Sequence, residues 1–180
     1  MTSANQAQLI IPVSADDHQQ GPETAPVTLV EYGDFQCPYC GAAHPMIKQV
    51  QQAMGDELRF VFRQFPLTEI HEFAGVAAEA SESAAAQGKF WPYHDRLFAH
   101  QDALSPPDLV AHAEALGLDA GRLKQELESG AWVEQVREDF MGGVRSDVNG
   151  TPTFFINGQR YDGPPEPESL LDALRTAARG

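Results

Sequence analysis

The chain of 180 residues holds two cysteines, and they stand in one short run, Phe35-Gln36-Cys37-Pro38-Tyr39-Cys40-Gly41. A bond between Cys37 and Cys40 would close a loop of four residues. So short a loop restricts the unfolded chain far less than a long-range bridge does, so a structural staple is a poor account of the pair. A Cys-x-x-Cys pair that opens and closes while the fold stays intact suits thiol–disulfide exchange. One thiolate attacks a foreign disulfide, and the neighbouring thiol resolves the mixed intermediate. Cys37 is the expected nucleophile and Cys40, one turn further in, the expected resolving thiol.

That chemistry needs the sulfur of Cys37 at a helix start. Val27-Thr28-Leu29-Val30-Glu31-Tyr32-Gly33 is β-branched, apolar and aromatic and ends in glycine, so it reads as a buried strand running into a loop. Pro38 at the first helical position fixes φ and sacrifices no amide, because the first N–H groups of a helix lack intrahelical partners. Those N–H groups and the positive end of the helix dipole favour a thiolate at Cys37. Further along, Leu58-Arg59-Phe60-Val61-Phe62-Arg63-Gln64-Phe65 reads as a second core strand. Residues 68–148 are helical in pattern. Ser105-Pro106-Pro107-Asp108 marks a helix start, Gly117 ends that helix and Gly130 the next. The chain returns to strand at Thr153-Phe154-Phe155-Ile156, turns at Asn157-Gly158, pairs through Arg160-Tyr161 and finishes in a helix from about Glu166 to Ala178. Leu9-Ile10-Ile11-Pro12-Val13 reads as an extra edge strand, followed by a polar, flexible stretch from Asp16 to Ala25.

The strand, the Cys-Pro-Tyr-Cys run at a helix start and the distant Gly150-Thr151-Pro152-Thr153-Phe154 together resemble the thioredoxin superfamily, and the long helical segment between them resembles its DsbA-like branch. The resemblance covers roughly residues 21–176. It implies an α/β, thioredoxin-like fold with an inserted all-helical domain: an extension over 1–25, a thioredoxin-like domain over 26–67 and 149–180, and the insertion over 68–148. It also implies a cis proline at Pro152, facing the two cysteines and with Thr151 shaping a groove for substrate backbone. Glu31, six residues before Cys37, falls where family members carry a buried acid. A carboxyl group in a strand core has a raised pKa, suited to accepting and returning the proton of Cys40. Position 39, histidine in some strongly oxidising relatives, is Tyr39 here. A strongly oxidising potential is therefore not implied. His44, one turn beyond Cys40, is a further candidate whose charge could help hold a thiolate.

The expected site is thus Cys37, Cys40 and Glu31 for catalysis, with Thr151, Pro152, Pro38, Tyr39 and Phe35 holding substrate. Phe65, Phe73, Trp91 and Phe154 extend the aromatic set that could meet unfolded polypeptide. No cofactor is expected beyond the cysteine pair itself. Structural zinc takes four ligands, and two of the scattered His18, His44, His71, His94, His100 and His112 would have to join the cysteines, so no metal is expected.

A net charge of −14 argues against nucleic acid, which demands clustered lysine and arginine, and against anionic membranes. Met1 leads into Thr2-Ser3-Ala4-Asn5 with neither a basic start nor an apolar core, and no apolar run approaches a membrane span. The expected location is cytoplasmic. The expected function is a thiol–disulfide oxidoreductase acting on cysteine-containing proteins or peptides, with glutathione or a thioredoxin-type system for recycling. Two alternatives keep the fold: a glutathione-dependent isomerase or transferase, and a peptide-binding holdase that never turns over. Retention of both cysteines weighs against the isomerase, whose DsbA-like relatives generally need only one catalytic serine or cysteine.

Overall fold

The computed structural model describes residues 6–180; the first five residues of the extension expected over 1–25 lie outside them. The chain divides into two compact units, one built on a sheet and one on helices.

The sheet unit comprises Met1–Gly33, Ala42–Arg63 and Met141–Gly180. Its five strands are β1 (His18–Gln20), β2 (Val27–Gly33), β3 (Leu58–Gln64), β4 (Thr153–Ile156) and β5 (Gln159–Tyr161), in the order β1-β3-β2-β4-β5. The central strand is β2, and six of its seven residues are buried, as its near-continuous apolar run requires of a strand covered on both faces. Antiparallel pairing of β2 with β4 sets Glu31 opposite Phe154 and Tyr32 opposite Thr153. Asn157 and Gly158, both at positive φ, join β4 to β5, the backbone a two-residue hairpin of this kind demands. The last helix (Pro167–Arg179) buries Leu170 and Leu174 and packs on β2 and β4.

The edge strand is not where the apolar pattern put it. Leu9–Val13 is not a strand, and β1 lies at His18–Gln20, within the stretch expected to be flexible. The cause is Arg63, a buried guanidinium in β3. It donates to the Ile11 carbonyl at 2.8 Å and the Pro12 carbonyl at 3.1 Å, and grips both carboxylate oxygens of Asp17 at 2.8 and 3.0 Å. The backbone of residues 11 and 12 serves the cation rather than a strand partner. Burial works to lower the Arg63 pKa, and Asp17 and Tyr32 outweigh it, so the group is held above its ordinary value.

The helical unit comprises Asp34–Gly41 and Gln64–Phe140. It contains α2 (Ala74–Ala86), α3 (Phe90–Ala99), α4 (Pro106–Ala115), α5 (Ala120–Ser129) and most of α6 (Val133–Arg145), and α1 (Pro38–Met54) begins in it. At the head of α4 the Ser105 hydroxyl donates to Asp108 at 2.7 Å; Gly130 closes α5 in the left-handed conformation. Compared with the expected insertion over 68–148, this unit starts four residues earlier, ends eight earlier, and takes in the segment carrying both cysteines. Long-range hydrogen bonds from that segment to the helical residues are the reason.

Candidate active site

β2 ends at Gly33, and after four intervening residues α1 begins at Pro38. Asp34 makes the turn. Its carboxylate accepts the Gln36 N–H at 2.8 Å, an Asx-type closure of the loop. It also accepts the Leu67 N–H at 2.9 Å and faces Nδ1 of His71 at 2.7 Å. The Asp34 carbonyl accepts the Cys37 N–H at 3.2 Å, and its own N–H points at the Cys40 sulfur at 3.5 Å. One residue is therefore bonded to the backbone of one cysteine and the side chain of the other.

The opposite side of the same turn is held by Gln101, in the loop between α3 and α4. Its side-chain amide donates to the Phe35 and Cys37 carbonyls, each at 2.9 Å. Gly41 makes room for it, because a Cβ there would collide with that amide. Gln36 completes the frame by accepting the Phe73 N–H at 2.7 Å. Cys37 thus stands immediately before the first residue of α1, at the end where backbone N–H groups are unpaired within the helix. Both cysteines are buried, while Pro38 and Tyr39 between them face solvent, Tyr39 at 75% exposure.

Glu31, Thr151 and Pro152 lie in the sheet unit. Glu31 is buried in β2, and β4, which pairs with β2, begins at Thr153 directly after Thr151-Pro152. The Thr151–Pro152 peptide is cis. His44 sits half-buried in α1. Phe35 requires correction: it is fully buried, packed on Phe98 at 5.0 Å and His94 at 5.7 Å between ring centroids, and so offers no surface to a substrate. Phe65 and Phe154 are also buried in the cores of their units, Phe65 stacked on Phe140 at 4.3 Å. Phe73 and Trp91 are half-buried, which leaves Tyr39 as the exposed aromatic of the set.

Asp34, Gln36, His71 and Gln101 were not among the expected residues. A Gly-Asp step between a strand and a helix signals a turn, which makes Asp34 recoverable. His71 and Gln101 carry no such mark, because their partners lie 37 and 64–66 residues away in sequence.

The thioredoxin family model matches residues 14–176. Among curated proteins, the chain is 47% identical over 173 residues to the Na(+)/H(+) antiporter NhaA 1 of Salinispora arenicola, covering 96% of this chain and 26% of that protein. The chain thus spans about a quarter of the length of the curated relatives it matches. Among solved structures, BdbD from Bacillus subtilis in its oxidised form superposes with a TM-score of 0.85 at 24% identity, covering 97% of this chain and 98% of that one. A thioredoxin-like oxidoreductase from Silicibacter pomeroyi superposes with a TM-score of 0.82 at 26% identity, over 93% and 95% of the two chains.

Proposed function

From a chain that belongs to the thioredoxin family, we propose a DsbA-like thiol–disulfide oxidoreductase that exchanges disulfides with cysteine-containing proteins or peptides through Cys37 and Cys40. The observation that carries the reading is the placement of Cys37 immediately before α1, with an N–H from Asp34 on the Cys40 sulfur. A helix N-terminus favours the thiolate, the form that attacks and the form that leaves.

In the reducing direction the Cys37 thiolate attacks one sulfur of a substrate disulfide, and the other substrate sulfur departs as a thiolate. Cys40, once deprotonated, attacks the Cys37 sulfur of the mixed disulfide, releases the second substrate thiolate and closes the Cys37–Cys40 bond. In the oxidising direction the same steps run in reverse. Two electrons move in either case. Glu31 takes and returns the Cys40 proton, Thr151 and Pro152 hold substrate backbone, and Pro38 and Tyr39 line the approach to Cys37. The cysteine pair is the whole redox centre, recycled by glutathione or a thioredoxin-type protein. The antiporter name belongs to relatives nearly four times as long, and ion transport is not part of the reading for this segment.

The test is to equilibrate the protein in glutathione buffers of graded ratio and to read the disulfide fraction by thiol trapping and mass. A reversible two-electron midpoint supports the proposal. A pair that never oxidises reversibly overturns it.

A further inference from the structure

The Asp34 side chain is fully buried, and the His71 side chain against it is 16% exposed. An anion inside the fold acts through a lower effective dielectric than one at the surface, so its charge reaches neighbouring atoms with less screening. Its own backbone N–H meets the Cys40 sulfur, and its backbone carbonyl meets the Cys37 N–H. The turn therefore puts a carboxylate on the residue whose backbone meets both cysteines, whose sulfurs become negative as thiolates on reduction. Its balancing group on this face is His71, whose Nδ1 at 2.7 Å must carry the hydrogen if the carboxylate is to accept it.

Resting on the oxidoreductase reading above, we infer that Asp34 and His71 form a positioning pair that sets how readily the Cys37–Cys40 disulfide accepts electrons. Asp34 opposes negative charge on the sulfurs, and His71 moderates that opposition by donating to the carboxylate. A plain loop staple would make the same hydrogen bonds, so the two roles separate only by the sign of what each substitution does. In the exchange, two glutathione thiols reduce the disulfide to two cysteine thiols and leave as one glutathione disulfide, so two electrons and two protons are accounted for.

The experiment measures the constant for that exchange in wild type, Asp34→Asn, His71→Ala and the double variant. Asp34→Asn removes the charge and keeps an acceptor oxygen, so the reduced form gains and the constant rises about threefold or more. His71→Ala leaves the charge less balanced, so the constant falls by a similar factor. The double variant matches Asp34→Asn, because His71 acts only through the carboxylate; a double-mutant cycle reads that coupling. Shifts of both single variants in the same direction, or no shift beyond a lowered melting temperature, overturn the inference. If Asp34→Asn does not fold, His71→Ala alone decides: a lowered constant supports the pair, and an unchanged or raised one refutes it. A wild type with no reversible midpoint would instead remove the oxidoreductase reading and this inference with it.

Discussion

At the level of single residues, the two cysteines are asymmetric. Cys37 stands before the first turn of α1, with the exposed Pro38 next to it in sequence, whereas Cys40 lies one turn further in and receives an N–H from Asp34. A substrate approaching from solvent meets the Cys37 side first. Cys37→Ser should therefore abolish turnover in a disulfide-exchange assay, while Cys40→Ser should leave the attack intact and trap Cys37 in mixed disulfides visible by mass; the opposite pattern would reverse the two roles. Glu31 is buried in the middle strand of the sheet, where glutamine preserves shape and removes the proposed proton acceptor. General acid–base assistance is worth about 100-fold or more, so Glu31→Gln should slow exchange at least tenfold with an unchanged melting curve. An unaltered rate across pH would leave Glu31 as a packing residue.

Secondary-structure elements supply the geometry that no single residue holds, and the head of α1 shows how. Gln101 reaches from the α3–α4 loop to the carbonyls of Phe35 and Cys37, in the space that Gly41 leaves open. Glycine inside a helix costs about 0.5–1 kcal/mol relative to alanine. Two neutral hydrogen bonds contribute about 0.5–1.5 kcal/mol each, so the clamp is worth more than the helix propensity given up for it. These magnitudes predict a change of sign. Gly41→Ala should destabilise the otherwise native protein by about 1 kcal/mol, because the new methyl group evicts Gln101. In a Gln101→Ala background, with the clamp already lost, the same change should stabilise by about 0.5–1 kcal/mol. Urea unfolding of the four proteins reads both numbers; an equal effect in the two backgrounds would mean that Gly41 and Gln101 are not coupled. Neighbouring elements were readable for local reasons: the cap at Ser105, the turn at Asn157-Gly158 and the apolar run of β2 all announce themselves within a few residues.

At the scale of the molecule, what was not legible is what depends on distant partners. The cysteine segment 34–41 joins the helical unit because Asp34, Gln36 and Phe35 bond to residues 33–66 positions further along the chain, which no local pattern encodes. The edge strand moved to His18–Gln20 because a cation in β3 claimed the carbonyls of Ile11 and Pro12. Net charge is the molecular property the sequence does give outright, and it bears on function through encounter rather than fold. Glutathione has two carboxylates and one ammonium group, so at neutral pH it is repelled by a protein of net charge −14. Salt screens that repulsion, over about 30 Å at 0.01 M and about 8 Å at 0.15 M. Reduction of the Cys37–Cys40 disulfide by glutathione should therefore quicken several-fold between those two ionic strengths. Reduction by 2-mercaptoethanol, whose attacking thiolate carries one negative charge against two on that of glutathione, should quicken less, and by cysteamine, whose thiolate is balanced by its ammonium group, it should stay nearly constant. If all three thiols respond alike, the field of the whole chain does not reach Cys37, and the charges immediately around the α1 N-terminus govern the encounter instead.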